Sequence, residues 1–247
     1  MKIIIGWLYP ELMSTYGDRG NIIALAYRGW MRKIAIEIKK ITLGDSPSSL
    51  EKVDFLFMGG AQDKQQEIVN VDLQKNKGKI LEKLIISGVP SLFICGAYQF
   101  LGKYYLAADG LKIPGLGIFD LYTINPGLNR KRLIGNIIIR PKPLELKNQL
   151  IVGFENHGGR TYLANKQMAF AEVSKGYGNN GEDKTEGIFF KNAIGTYLHG
   201  PILPKNPQLT DFLLKITLER KYQREIILKD LDDSLEKKAR ERVINKT

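Results

Sequence analysis

The amino-acid sequence predicts an α/β fold: a single domain on an open, mostly parallel sheet flanked by helices, with some antiparallel strands in its second half. Two observations carry this. Short, almost wholly apolar runs, as at residues 53–58 and 91–94, suit strands buried on both faces, as strands of parallel sheets are. In the first half such runs alternate with longer stretches of helical period, the order of a doubly wound sheet. The length agrees: 247 residues, 43% of them hydrophobic, can build a core that needs neither a disulfide nor a structural metal.

Residues 2–6 form the first expected strand, and they do not read as a signal peptide. Tyr16-Gly-Asp-Arg-Gly-Asn21 makes a turn, with Asp18 placed to cap a helix over residues 19–33. A short strand follows at 34–38, and the apolar run 53–58 stops at Gly59-Gly60. From 62 to 87 the pattern is helical, with Ile80, Leu81, Leu84 and Ile85 on one face. The strand at 91–94 ends in Cys95-Gly96 and a new helix. Beyond it, strands at 118–124, 133–140, 151–154, 168–173 and 192–197 are separated by Gly, Pro and Asn turns. Leu209, Phe212, Leu213 and Ile216 then mark an amphipathic helix. No repeat, low-complexity segment or linker interrupts the chain.

Composition excludes several function classes. The net charge is +11, yet the basic residues are scattered, with no zinc-finger spacing, no RNP-like aromatic pattern and no long basic run, so no nucleic-acid partner is expected. One cysteine and two histidines supply too few ligands for a Cys/His zinc site, and no metal is expected in this chain. No run of about 18 apolar residues occurs, and a soluble, cytoplasmic protein is expected. The charge is compatible with an anionic partner or membrane surface without requiring one.

An isolated cysteine among apolar residues is most often a small buried hydrophobe. Cys95 differs in its setting, because an apolar strand stops there, a helix begins, and small residues flank it, as in a nucleophile elbow. Free N–H groups at a helix start favour thiolate over thiol, and the Gly96 N–H can face an oxyanion formed on a carbonyl that the sulfur attacks. Gly60, at the end of another strand, could bring a second N–H, although a glycine pair after a strand is more often only a turn. In open α/β sheets sites gather at the C-terminal strand ends, where both motifs lie. A thiolate nucleophile needs a base, and only His157 and His199 are available. His157 lies in the polar turn 153–160, whereas His199 follows an apolar run, and spacing leans only weakly to His199.

Phe93-Ile-Cys-Gly-Ala-Tyr-Gln-Phe-Leu-Gly102 is similar to the G-I-C-G-G-Y-Q-x-L-G signature of CobB/CobQ-like class I glutamine amidotransferases. Four further segments narrow the resemblance: residues 8–21, Met58-Gly-Gly-Ala-Gln-Asp63, Gly153-Phe-Glu-Asn-His-Gly-Gly-Arg-Thr161 and Gly195-Thr-Tyr-Leu-His-Gly-Pro-Ile-Leu-Pro-Lys-Asn-Pro207. Together, over residues 1–222, they resemble the glutaminase subunits of lipid II isoglutaminyl synthases. Residues 223–247 lie beyond the resemblance and form an expected helical extension.

The resemblance implies Cys95 as nucleophile and His199 as general acid/base, with Gly60 and Gly96 at the oxyanion hole and Gln99 beside the nucleophile. It implies that Arg132 contacts the glutamine substrate, since a guanidinium can pair bidentately with an α-carboxylate. The competing reading of Arg132 is a solvated basic loop, because Arg130 and Lys131 adjoin it. His157 would then shape the site or an interface. Phe93 and Ala97 replace glycines of the wider signature, and Pro201 stands where many class I amidotransferases carry a glutamate, two residues after the histidine. The third, acidic member must come from elsewhere in the chain or from a partner. The implied reaction releases ammonia from L-glutamine for a MurT-like synthetase subunit in a heterodimer, which would hold ATP and Mg²⁺ and amidate D-glutamate of lipid II at the membrane surface. The chain itself shows no G-x-x-x-x-G-K-[ST] phosphate loop, and no cofactor is expected on it. Service to another synthetase, a stand-alone cysteine amidase and a non-catalytic subunit are the alternatives.

Overall fold

The structure, a computed structural model, describes residues 1–61, 63–127 and 130–246; Gln62, at the start of the expected helix 62–87, and Thr247, at the end of the extension, lie outside the described residues. The opening strand β1 (Lys2–Leu8) leads through α1 (Arg19–Met31) to β2 (Ala35–Ile41) and β3 (Phe55–Met58). α2 (Asp63–Asp72) and α3 (Gly78–Ile86) precede β4 (Ser91–Ile94) and α4 (Gly96–Phe100). These strands share one six-stranded sheet, in the order β2-β1-β3-β4, with two strands from much later in the chain.

The expected helix over 62–87 is two helices, because a wide turn of π type at Leu73–Lys77 separates them. The cause is a buried polar cluster. Lys77 is fully buried and donates to Asp72 Oδ2 at 2.7 Å, and the same oxygen accepts the Tyr9 hydroxyl at 2.6 Å. Satisfying a buried ammonium in this way outweighs one turn of regular helix.

The second half builds two small sheets. Strands β5 (Tyr104–Leu106), β6 (Lys112–Pro114) and β7 (Leu121–Ile124) are followed by β8 (Leu133–Pro141), β9 (Ile151–His157), β10 (Arg160–Leu163), β11 (Ala171–Lys175) and β12 (Thr185–Glu186). Their sheet orders are β10-β7-β5-β6 and β12-β11-β8-β9. The stretch 153–160, read from sequence as a turn, is mostly strand, and only Gly158-Gly159 carry the chain from β9 in one sheet to β10 in the other.

The chain then returns to the main sheet with β13 (Ile188–Phe190) and β14 (Ala193–Thr196); β14 lies parallel beside β4 and β13 pairs antiparallel at the edge. Short α5 (Ile202–Lys205), long α6 (Pro207–Tyr222) and α7 (Ser234–Lys246) complete it. The extension beyond residue 222 is helical only in α7. Arg28 of α1, 6% exposed, ties it down by bonding both oxygens of Asp211 at 2.6 Å and Asp233 Oδ1 at 2.6 Å. Among the described residues no helix is long and apolar enough to cross a membrane.

Register decides where loops meet. Met58 of β3 pairs with Phe93 of β4, and Ile94 of β4 with Thr196 of β14, so three strands end level at one edge of the sheet. The segments starting at Gly59, Cys95 and Tyr197 therefore emerge side by side.

Candidate active site

Cys95 stands in the sharp turn between β4 and α4 with φ 52 and ψ −106, a strained conformation for a non-glycine residue. Its neighbours hold it there: its N–H donates to Thr196 O at 2.8 Å, and Gln99 N donates to Cys95 O at 3.0 Å. Helix α4 has 5 residues, so Cys95 meets its first free N–H groups rather than the dipole of a long helix. A Cβ on Gly96 would stand 2.7 Å from Gln66 Nε2, so a larger residue here would have to push that amide aside.

His199 lies beyond the end of β14, held by reciprocal backbone bonds with Phe154 at 2.7 and 3.2 Å. It is 1% exposed. The carboxylate that approaches its ring is Asp18, fully buried, with Oδ1 3.3 Å from His199 Nδ1. Nε2 has no hydrogen-bond partner among the described residues, and Cys95 acts on the ring electrostatically. Burial opposes charging this imidazole, but Cys95 and Asp18 outweigh it and push its pKa up to about 10. A thiol, an imidazole and a carboxylate thus adjoin one another.

Asp18 was read from sequence as a helix cap. Its side chain caps nothing; Oδ2 instead accepts the Gly60 N–H at 2.7 Å. The glycine lies beside the pair, with a Cβ there 2.7 Å from His199 Cε1 and 3.3 Å from Cys95 Cβ, and its N–H is spent on the Asp18 carboxylate. Pro201 also gains a reason. A Cβ on Gly20 would stand 2.4 Å from Pro201 Cγ, and Asn21 Oδ1 accepts Leu203 N at 2.9 Å, so the start of α1 docks on the segment after His199. That docking delivers Asp18 in place of a carboxylate at position 201. The turn motif over residues 16–21 was visible in the sequence, but its tertiary purpose was not.

The other expected site residues line or adjoin the same cleft, of about 610 Å³, together with Tyr16 and Asn156. Gln99 is 5% exposed and its Nε2 donates to the Tyr197 hydroxyl at 2.9 Å, so its amide is tied to the wall of the cleft. Arg132 is exposed, and its Nε and Nη2 donate to Asn156 Oδ1 at 3.0 Å and Asn156 O at 3.1 Å. His157 also lines the cleft, but it stacks on Tyr197 with centroids 3.6 Å apart, and its Nδ1 bonds Gly159 O at 2.8 Å. Burial holds its pKa below the usual value, against the weaker pull of Glu155.

Comparison with known proteins bears on this constellation. A model of the CobB/CobQ-like glutamine amidotransferase domain matches residues 4–207. The subunit GatD of lipid II isoglutaminyl synthase (glutamine-hydrolyzing) from Staphylococcus aureus is 44% identical over 220 residues, covering 89% of this chain and 86% of that protein. The subunit of the same name from Streptococcus pneumoniae is 39% identical over 240 residues, 97% of this chain and 90% of its own. A crystal structure of a glutamine amidotransferase superposes with a TM-score of 0.61 over 86% of this chain and 98% of that one at 15% identity, a likeness of fold alone.

Proposed function

This chain belongs to the CobB/CobQ-like glutamine amidotransferase family, and on that premise we propose that its cleft hydrolyses L-glutamine to glutamate and ammonia through Cys95, His199 and Asp18. The observation that carries the reading is the series Cys95–His199–Asp18 at the level ends of β4 and β14. Cys95 thiolate attacks the side-chain carboxamide carbon, and the Gly96 N–H, first in α4, meets the oxyanion. The carbon–nitrogen bond then breaks as His199 imidazolium passes its Nε2 proton to the leaving nitrogen, releasing ammonia and a γ-glutamyl thioester. Neutral His199 next takes a proton from water, whose oxygen attacks the thioester; glutamate leaves and the thiolate–imidazolium pair is restored. Asp18 holds Nδ1 and favours the charged ring in both half-reactions.

Arg132 is proposed to bind the substrate α-carboxylate through the donors it does not spend on Asn156. Gln99 takes a wall-building role on this reading. Residues 1–222 are taken as the amidotransferase domain and 223–247 as an extension folded onto it. The names of the relatives support a subunit that works with a synthetase, to which ammonia passes unprotonated. That synthetase is proposed to be MurT-like, to bind ATP and Mg²⁺, and to amidate the D-glutamate α-carboxylate of lipid II at the cytoplasmic membrane face. The test measures glutamate released from glutamine by this chain with and without a MurT-like synthetase subunit. Release that depends on Cys95 and rises with the partner supports the reading, and an undiminished rate in Cys95→Ala refutes it.

A further inference from the structure

Tyr16 is the part of the cleft that hydrolysis, as set out above, leaves unused. Its backbone is left-handed, φ 56 and ψ 27, in the turn just before Asp18, a conformation rare for a residue with a side chain. That turn throws the ring over the catalytic histidine. The Tyr16 and His199 rings meet edge to face, 5.0 Å between centroids and 71° between planes. An edge-to-face pair at this range is a favourable aromatic contact that fixes the relative tilt of the two rings. Tyr16 is also fastened at its far end, where its hydroxyl accepts Asn156 Nδ2 at 2.7 Å.

The direction of that bond is dictated by chemistry. Arg132 can only donate, so Asn156 must turn Oδ1 toward it, which aims Nδ2 at the tyrosine. The result is a continuous chain of contacts: Arg132 to Asn156 at 3.0 Å, Asn156 to Tyr16 at 2.7 Å, and Tyr16 to His199 edge to face. An amide is rigid and its oxygen and nitrogen diverge. Any displacement of the guanidinium therefore rotates the amide and moves the phenol.

We propose that Tyr16 is a positioning residue for His199, and that Asn156 couples it to Arg132 so that capture of the substrate carboxylate sets the imidazole over Cys95. The coupling to substrate rests on the glutaminase reading; the contact with His199 does not. The titratable groups facing His199 from its surroundings are Cys95 of the β4–α4 turn, Asp18 at the start of α1 and Tyr16 itself.

The experiment uses Tyr16→Phe, which keeps the ring and loses the anchor, Tyr16→Leu, which loses both, and Asn156→Ala, each checked by thermal melting. Glutamine hydrolysis is measured with the synthetase present, and Cys95 alkylation by iodoacetamide is followed against pH without glutamine. Tyr16→Phe is expected to lower kcat about 2- to 12-fold, the worth of one hydrogen bond, with KM unchanged. Asn156→Ala is expected to lower kcat and raise KM, and adding Tyr16→Phe to it to cost nothing more. Tyr16→Leu, unlike Tyr16→Phe, is expected to shift the alkylation profile. A wild-type kcat in Tyr16→Phe, or fully additive losses with Asn156→Ala, overturns the coupling. An alkylation profile unmoved in Tyr16→Leu overturns the contact with His199. If the wild-type chain hydrolyses no glutamine while Tyr16→Leu still shifts alkylation, the glutaminase reading falls and the positioning of His199 stands.

Discussion

His157 and His199 line one cleft and are equally buried, 2% and 1% exposed, yet their surroundings drive them in opposite directions. His157 spends Nδ1 on a backbone carbonyl and its face on Tyr197, and burial keeps it neutral, because Glu155 stands 3.8 Å away and is itself occupied by the N–H groups of Tyr177 and Gly178. His199 has Asp18 on one nitrogen and the Cys95 sulfur beside the ring, and there the same desolvation is overcome. Burial alone removes a charge from an imidazole. Burial beside a carboxylate and a sulfur outweighs that loss, because the surroundings that strip away water also leave the fields of these neighbours unscreened.

The sharpest way to break this contrast is mutational. Cys95→Ala should reduce glutamate release to background, a loss of about 10⁴-fold or more, and His199→Ala should do nearly the same, since nucleophile and base act as a unit. A dead His157→Ala beside an active His199→Ala would reverse the assignment. Asp18→Asn should lower kcat by roughly 10²- to 10⁴-fold and also lower the melting temperature, because an amide must turn a buried N–H toward either Gly60 N or His199 Nδ1.

The same variant separates the two rings by pH. The folded pKa of His199 is raised, so its contribution to stability is complete below pH 6.5 and fades as pH rises through about 10. In Asp18→Asn the titration of His199, followed by NMR, should move to lower pH, while that of His157 stays where it is. A stationary His199 titration would mean that Asp18 contributes nothing to the charge. His157→Ala should cost stability, on the order of 1–3 kcal/mol for the lost stacking on Tyr197 and the lost bond to Gly159 O, with only a few-fold change in kcat.

The smallest expected effect concerns Glu186, which is fully buried beneath β14 and accepts Thr196 Oγ1 and Tyr197 N. Burial pushes its pKa up to about 8. An acid raised in this way favours the fold fully below about pH 4.5 and less as pH rises through 8, so Glu186→Gln should raise the melting temperature at pH 9 and leave it nearly unchanged at pH 5. An equal shift at both pH values would show that the carboxyl titrates alike in folded and unfolded chains.

Much of the fold was legible locally. The apolar runs at 53–58 and 91–94 became β3 and β4, and the stop at Cys95-Gly96 became the elbow, because strands buried on both faces and sharp turns leave composition signals. Strands as short as β5, β6, β12 and β13 left none, since two or three residues cannot display a period, and their places depend on pairing with distant partners. Asp18 was misread for a related reason: an aspartate before a helix looks the same whether its carboxylate turns back to its own helix or out to another loop.

The sequence by itself determined the sheet's apolar strands, the single available nucleophile and the two available bases. Only the tertiary structure decided which base has a carboxylate behind it, since Asp18 and His199 are 181 residues apart and meet through the docking of α1 on the segment after β14. It likewise decided that the Gly60 N–H turns to Asp18, and that Arg132 grips Asn156. The physical reason is that local pattern encodes the period and ends of an element, whereas strand order and register set which ends stand together, and proton affinity depends on that company.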